Sequence, residues 1–203
     1  MQNFSYIIGD QDSKESVVVD TGWETDKLID LCNKEKLSIN KIILTHSHYD
    51  HVQKIDELAS KTNAAVYFHE EDHNEIKRVI KNPNIKIIKL KNNDEIKIGN
   101  IEIKVIHTPG HTPGAICLLF ENKLITGDTL FVNAIGRTDL AGGDSIKLFE
   151  SLQKLKKLKD YIEIYPGHDY GEILFSTIEN EKKNNPYFMC NTKEQFLNLL
   201  GLF

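Results

Sequence analysis

The chain has 203 residues, 40% hydrophobic and 27% charged, which suits one α/β domain with a substantial core. A net charge of −5 makes a poor nucleic-acid binder, because phosphate contacts require clustered Lys and Arg. No apolar stretch approaches the roughly 20 residues of a membrane span, and Met1-Gln2-Asn3-Phe4 does not open a signal peptide, so no membrane partner and a cytoplasmic location are expected.

In chain order, short strands are expected near Phe4 to Ile8 and Ser16 to Asp20, then a helix near Asp26 to Glu35. Lys41-Ile42-Ile43-Leu44-Thr45 reads as a short buried strand. His46-Ser47-His48-Tyr49-Asp50-His51 follows as a turn, and Val52 to Ala59 reads as the opening of an amphipathic helix. Further short strands are expected near Ala65 to Phe68, Ile85 to Leu90, Glu95 to Lys97 and Ile101 to Ile106. Beyond Asp144 the spacing turns helical. Leu148, Leu152, Leu155 and Leu158 recur three or four apart, and Lys154, Lys156, Lys157 and Lys159 among them are expected on the solvent face. Thr192 to Leu200 reads as a final helix that closes the core or offers apolar residues to a second subunit of a homodimer. With no linker or low-complexity segment in between, residues 1–203 are expected to form one domain ending in a short helical tail over 187–203. Cys32, Cys117 and Cys190 are widely spaced, which argues against a disulfide framework and a cysteine metal site; Cys117, in an apolar run, is expected in the core.

The richest segment is His46-Ser47-His48-Tyr49-Asp50-His51. Imidazole nitrogen and carboxylate oxygen are the donors that borderline divalent ions such as zinc prefer, so three histidines and an aspartate in one turn read as a metal-ligand cluster. It stands where a strand ends and a helix begins, the sheet edge at which α/β proteins build their sites. Three more donors occupy matching places. His111, Asp128 and His168 each follow a β-rich run and each has Gly immediately before it, which lets the backbone approach closely and aim the side chain inward.

On His46-x-His48-x-Asp50-His51 followed by His111, Asp128 and His168, the chain resembles the metallo-β-lactamase fold hydrolases. Gly127-Asp128-Thr129-Leu130-Phe131, Ile135-Gly136-Arg137-Thr138-Asp139 and Tyr165-Pro166-Gly167-His168-Asp169-Tyr170 are similar to the glyoxalase II group and its persulfide dioxygenase relatives. The resemblance implies an α/β fold, the αβ/βα four-layer sandwich. It also implies two divalent metal ions, zinc first with iron or manganese as alternatives. His46, His48 and His111 would hold one, Asp50, His51 and His168 the other, and Asp128 would bridge them, with Asp50 and Asp128 as the catalytic carboxylates. A bridged hydroxide would attack a small-molecule thioester or related thiol-derived substrate. Asp at position 128, where β-lactam hydrolysing members commonly carry Cys or a non-bridging residue, argues against β-lactam hydrolysis. Two rivals stand beside this reading: a persulfide dioxygenase with one iron on His46, His111 and Asp128, and a non-catalytic metal-binding or redox-sensing module.

Several other residues invite a role. Asp20, ending a strand, is either a hydrogen-bond partner of a metal ligand or a plain turn cap. Arg137 either faces the thiol carrier or is a structural Arg paired with Asp139 or Asp144; Tyr170 is a further substrate-side candidate. His69 and His73, four apart, are expected as exposed helix histidines, His107 as structural, and Trp23 at a pocket rim.

Overall fold

The computed structural model describes residues 3–171 and 173–202. Runs that are apolar at every position, such as Val17-Val18-Val19 and Ile42-Ile43-Leu44, are fully buried, as strands covered on both faces must be. They belong to β2 (Glu15–Val19) and to the end of β3 (Ser38–Ile43) with the residue just after it, inside a five-stranded sheet with β1 (Tyr6–Gly9), β4 (Ala65–His69) and β5 (Ile87–Leu90). The strand order is β1-β2-β3-β4-β5; β1 is antiparallel to β2 and the remaining pairs are parallel. The crossovers contain α1 (Thr25–Lys34), then α2 (Tyr49–Val52) with α3 (Ile55–Thr62), and α4 (His73–Val79).

The second half opens as an antiparallel meander of β6 (Glu95–Ile98), β7 (Ile101–His107), β8 (Ile116–Phe120) and β9 (Lys123–Gly127). A small hairpin of β10 (Leu130–Phe131) and β11 (Ala134–Ile135) and the helix α5 (Ser145–Leu155) lead to β12 (Glu163–Pro166), parallel to β9, and to the edge strand β13 (Ser176–Thr177). The helices α6 (Ile178–Asn184), α7 (Pro186–Met189) and α8 (Lys193–Leu199) finish the described chain.

Alternation along the strands divides the core into three slabs and so produces four layers. Val17, Val19, Ile43, Val105, Ile116 and Ile125 belong to a central slab between the sheets. Their neighbours Val18, Ile42 and Leu44 turn outward to α1, α3 and α4. Ile106, Cys117 and Leu124 turn outward to α5 and the C-terminal helices. The αβ/βα sandwich expected from the sequence is therefore the observed fold. Phe188 and Phe196 are fully buried in the outer slab, so the tail helices close the core.

Two local expectations are corrected. The helix expected from Val52 to Ala59 is broken: α2 is a single turn that already contains Asp50 and His51, and the chain restarts at Ile55. His69 and His73 are not exposed helix histidines. The first ends β4 at 4% exposure and the second opens α4 half-buried, with a 3-10 turn (Glu70–Asp72) between them. The His69 ring stacks on His107, centroids 3.7 Å apart and planes 14° apart, a contact between β4 and the distant β7 that spacing alone does not reveal. The lysines of the C-terminal run lie on the solvent side as expected, Lys154, Lys157 and Lys159 exposed and Lys156 half-buried; from there Lys154 Nζ donates to the His107 carbonyl and Lys156 Nζ to the Cys190 carbonyl.

Candidate metal centre

All seven expected ligands come together at one edge of the sandwich. His46, His48, Asp50 and His51 follow β3, His111 follows β7, Asp128 follows β9 and His168 follows β12. The polar donors sit where the apolar slabs end. Two glycines make the approach feasible. Gly127 has φ +48, and a Cβ there would lie 2.6 Å from the Thr45 Cβ; one at Gly167 would collide with Asp128 Oδ1.

The side chains form two groups. Ligand atoms of His46, His48 and His111 lie within 4.8 Å of one another, as do those of Asp50, His51 and His168. His48 Nδ1 is 2.8 Å from His111 Nε2, and His51 Nε2 is 3.3 Å from His168 Nε2. Asp128 stands between the groups. Its Oδ2 is 3.5 Å from His111 Nε2 and 3.2 Å from His168 Nε2, and its Oδ1 is 3.4 Å from His51 Nε2.

The surrounding hydrogen bonds decide which ring nitrogens face inward. Asp20 is buried, with φ +56, and accepts from the Thr45 N–H at 2.8 Å, the Thr45 hydroxyl at 2.7 Å and His51 Nδ1–H at 2.8 Å. Because the Thr45 hydroxyl donates to Asp20, it accepts from His46 Nδ1–H at 3.1 Å. His111 Nδ1–H donates to the Arg137 carbonyl at 2.8 Å. His46 and His111 therefore present an unprotonated Nε2 to the centre, the tautomer a metal needs, while His51, its Nδ1 held by Asp20, aims its Nε2 at the same place. The hydrogen-bonding role of Asp20, rather than a simple turn cap, is the one found.

The charges agree with this arrangement. Burial, followed by the other imidazoles, holds His46 well below the usual histidine range, and burial with His111 brings His48 down to about 4. Burial pulls His51 down too, but the Asp20 carboxylate, followed by Asp128 and Asp50, outweighs it and brings its pKa up to about 9. Burial works against ionised Asp128, yet the imidazoles, His168 first, keep its pKa below the ordinary value. His46 Nε2 and Asp128 Oδ1 are buried without any hydrogen-bond partner. Orphaned acceptors are costly in an interior unless a cation satisfies them, so the donor set fits divalent metal.

The centre opens into a cleft of about 410 Å³ whose walls include Phe131, Ile135, Leu140 and Tyr170. The Tyr170 ring stacks on His168, centroids 4.9 Å apart. Arg137 also lines this cleft, its guanidinium held bidentately by Asp139 at 2.6 Å, so the expected ion pair forms while the side chain remains at the mouth. Trp23 packs edge-on against Tyr49, which also lines the cleft.

Two supporting residues escape sequence reasoning. Asp72, buried, accepts from the Thr112 hydroxyl at 2.9 Å and the Gly114 N–H at 2.7 Å, clamping the turn that carries His111. Asn3 donates to Asp50. Each acts across at least 40 residues of chain, and no local pattern announces such a pairing.

With this fold and donor set, the chain belongs to the metallo-beta-lactamase superfamily, whose family model matches residues 1–168. It is 34% identical over 196 residues to the "Probable polyketide biosynthesis zinc-dependent hydrolase PksB" of Bacillus subtilis, covering 96% of this chain and 85% of that protein. It is 32% identical over 173 residues to the hydroxyacylglutathione hydrolase of Francisella tularensis subsp. novicida, covering 84% of this chain and 64% of that protein. Among solved structures, ETHE1 from Myxococcus xanthus superposes with a TM-score of 0.87 at 28% identity, covering 98% of this chain and 85% of that one. No helix among the described residues is long and apolar enough to cross a membrane.

Proposed function

We propose that the chain is a metal-dependent thioester hydrolase holding two divalent ions, zinc by preference. His46, His48 and His111 serve one site, Asp50, His51 and His168 the other, and Asp128 lies between them. The observation that carries this reading is Asp128, one carboxylate with an oxygen 3.5 Å from His111 Nε2 and the other oxygen 3.4 Å from His51 Nε2. Bound there, the ions would polarise the thioester carbonyl and lower the pKa of a shared water from 15.7 toward about 7, supplying hydroxide at neutral pH.

The chain's own groups do the rest. Asp20, the Thr45 hydroxyl and the Arg137 carbonyl keep three rings from rotating. Asp50 and Asp128 offset cationic charge at the cleft floor, while Phe131 and Ile135 give the cleft an apolar wall that excludes water from the reacting carbonyl. At the rim, Arg137 and Tyr170 face the thiol carrier; a guanidinium suits a carboxylate on that carrier. A thiolate is a good leaving group and departs without a strong acid. The relative named hydroxyacylglutathione hydrolase has a thioester in its name, and PksB is named a zinc-dependent hydrolase; both support this reading.

One rival rests on a specific observation. His46, His111 and Asp128 converge, and two imidazoles with a carboxylate form the facial set of mononuclear iron oxygenases, as a persulfide dioxygenase would require. The redox-sensing alternative fares worse: all three cysteines are buried, and burial pushes the Cys117 thiol up to about 11. Zinc-loaded protein should cleave S-lactoylglutathione or a similar thioester with no oxygen uptake. Oxygen consumption and sulfite release from glutathione persulfide by the iron-loaded protein, with no thioester cleavage under any metal, would overturn the hydrolase reading.

A further inference from the structure

We infer that Asn3 is a positioning residue for the outer ion, the one served by Asp50, His51 and His168; this rests on the two-site reading above. The Asn3 side-chain amide donates from Nδ2 to Asp50 Oδ2 at 2.8 Å and to the Asp50 carbonyl at 3.2 Å. Both partners are acceptors, so a flipped amide would set oxygen against oxygen and the orientation is forced. Residue 3 also reaches a second ligand of the same group. Its backbone forms an antiparallel bridge with His168, and the next residue, Phe4, donates its N–H to the Gly167 carbonyl at 2.9 Å.

The geometry is selective. The oxygen that Asn3 holds, Asp50 Oδ2, is the one facing the outer group, 3.4 Å from His168 Nε2 and 3.9 Å from His51 Nε2. His46 and His111 of the inner group are oriented instead by Thr45 and the Arg137 carbonyl. The Asn3 amide is also a poor choice for stability alone, because its Oδ1 is buried with no partner. A residue that leaves an acceptor orphaned while its donor grips a ligand oxygen is placed for the ligand.

Asn3 therefore sets the rotamer of Asp50, and its loss should loosen the outer ion while sparing the inner one. The test is an equilibrium titration of cobalt or zinc against a chromophoric chelator, with the cobalt absorption spectrum distinguishing the sites, on wild type, Asn3→Ala and Asn3→Asp. Asn3→Asp sets a carboxylate against Asp50 at nearly unchanged size. Removing such an outer partner typically costs 10- to 100-fold in metal affinity, and that loss is expected at the outer site, with the inner affinity within about threefold of wild type. The melting temperature of the chelator-treated protein provides the control. Equal weakening of both sites with a lowered metal-free melting temperature would mark Asn3 as merely structural, and unchanged affinities in both variants would also overturn the inference. If wild type binds one ion only, the two-site reading fails and the inference with it; two ions in wild type with unaltered variants defeats Asn3 alone.

Discussion

Asp20→Asn is the sharpest probe of how the centre is held. The substitution keeps the side-chain shape, and Asn tolerates the left-handed backbone at φ +56 as well as Asp does, so no strain is introduced. What changes is donor bookkeeping around one oxygen. In the wild type Asp20 Oδ2 accepts both the Thr45 hydroxyl and His51 Nδ1–H. An amide nitrogen placed there meets two donors, and in the flipped orientation it meets the Thr45 N–H instead, so at least one hydrogen bond is lost and the negative charge that His51 Nδ1–H faces is gone. Hydrogen bonds to a buried charged group contribute about 1.5–3 kcal/mol each and those to a neutral one about 0.5–1.5, so losing one and weakening the other two would cost roughly 3 kcal/mol. For a chain of this size that lowers the melting temperature by about 6–12 °C. Loss of the carboxylate behind His51 should additionally weaken metal binding about 10- to 100-fold. Thermal denaturation in chelator gives the first number and competition titration the second. A variant with normal stability and normal metal affinity would refute the account of Asp20 as the anchor of His51.

Three further outcomes are expected. Asp128→Asn should abolish thioester turnover and lower metal content, because a neutral amide cannot balance two cations; full activity with two ions retained would end its bridging role. Arg137→Ala should raise KM for glutathione thioesters with kcat little changed. Its ion pair with Asp139 is fully exposed and screened by water, so the melting temperature should hardly change; an unchanged KM with a clear loss of stability would favour the structural role. Burial, followed by the charge of His107, lowers the pKa of His69, so its packing contributes full stability above the unfolded value near 6.5 and loses it as pH falls below that. In chelator, wild type should therefore lose melting temperature between pH 7 and pH 5 faster than His69→Phe, and equal slopes would contradict this.

How much of this was legible follows from the reach of each interaction. The strands and the convergence of all seven candidate donors could be read because each donor comes just after a β-rich run and the glycines before His111, Asp128 and His168 are local. Asp20 could be placed at a strand end, but its three donors come from residues 25 and 31 positions away. Asn3 and Asp72 lie further still from their partners, and an isolated Asn or Asp carries no sign of what it will touch. His69 and His73 misled for a different reason: a spacing of four suits a helix face, yet the segment changes from strand to 3-10 turn to helix within those positions. The Val52 to Ala59 periodicity was correct from Ile55 onward but spans a break, because the preceding turn is already committed to aiming Asp50 and His51.

The origin of the ligands has a consequence for the lifetime of the protein. Four of the seven come from the β1–β5 half and three from the β6–β13 half, while the slab between the sheets is mostly aliphatic and aromatic, with few hydrogen bonds such as that from the Tyr6 hydroxyl to the Pro166 carbonyl crossing between the halves. Ions at the rim would act as a reversible rivet between the halves, stabilising the folded chain in proportion to the logarithm of free metal concentration. A cell starved of metal would then lose more than turnover. The unriveted sandwich would part at the rim more often, exposing the ligand turns to proteases, so the abundance of this protein would itself track metal supply.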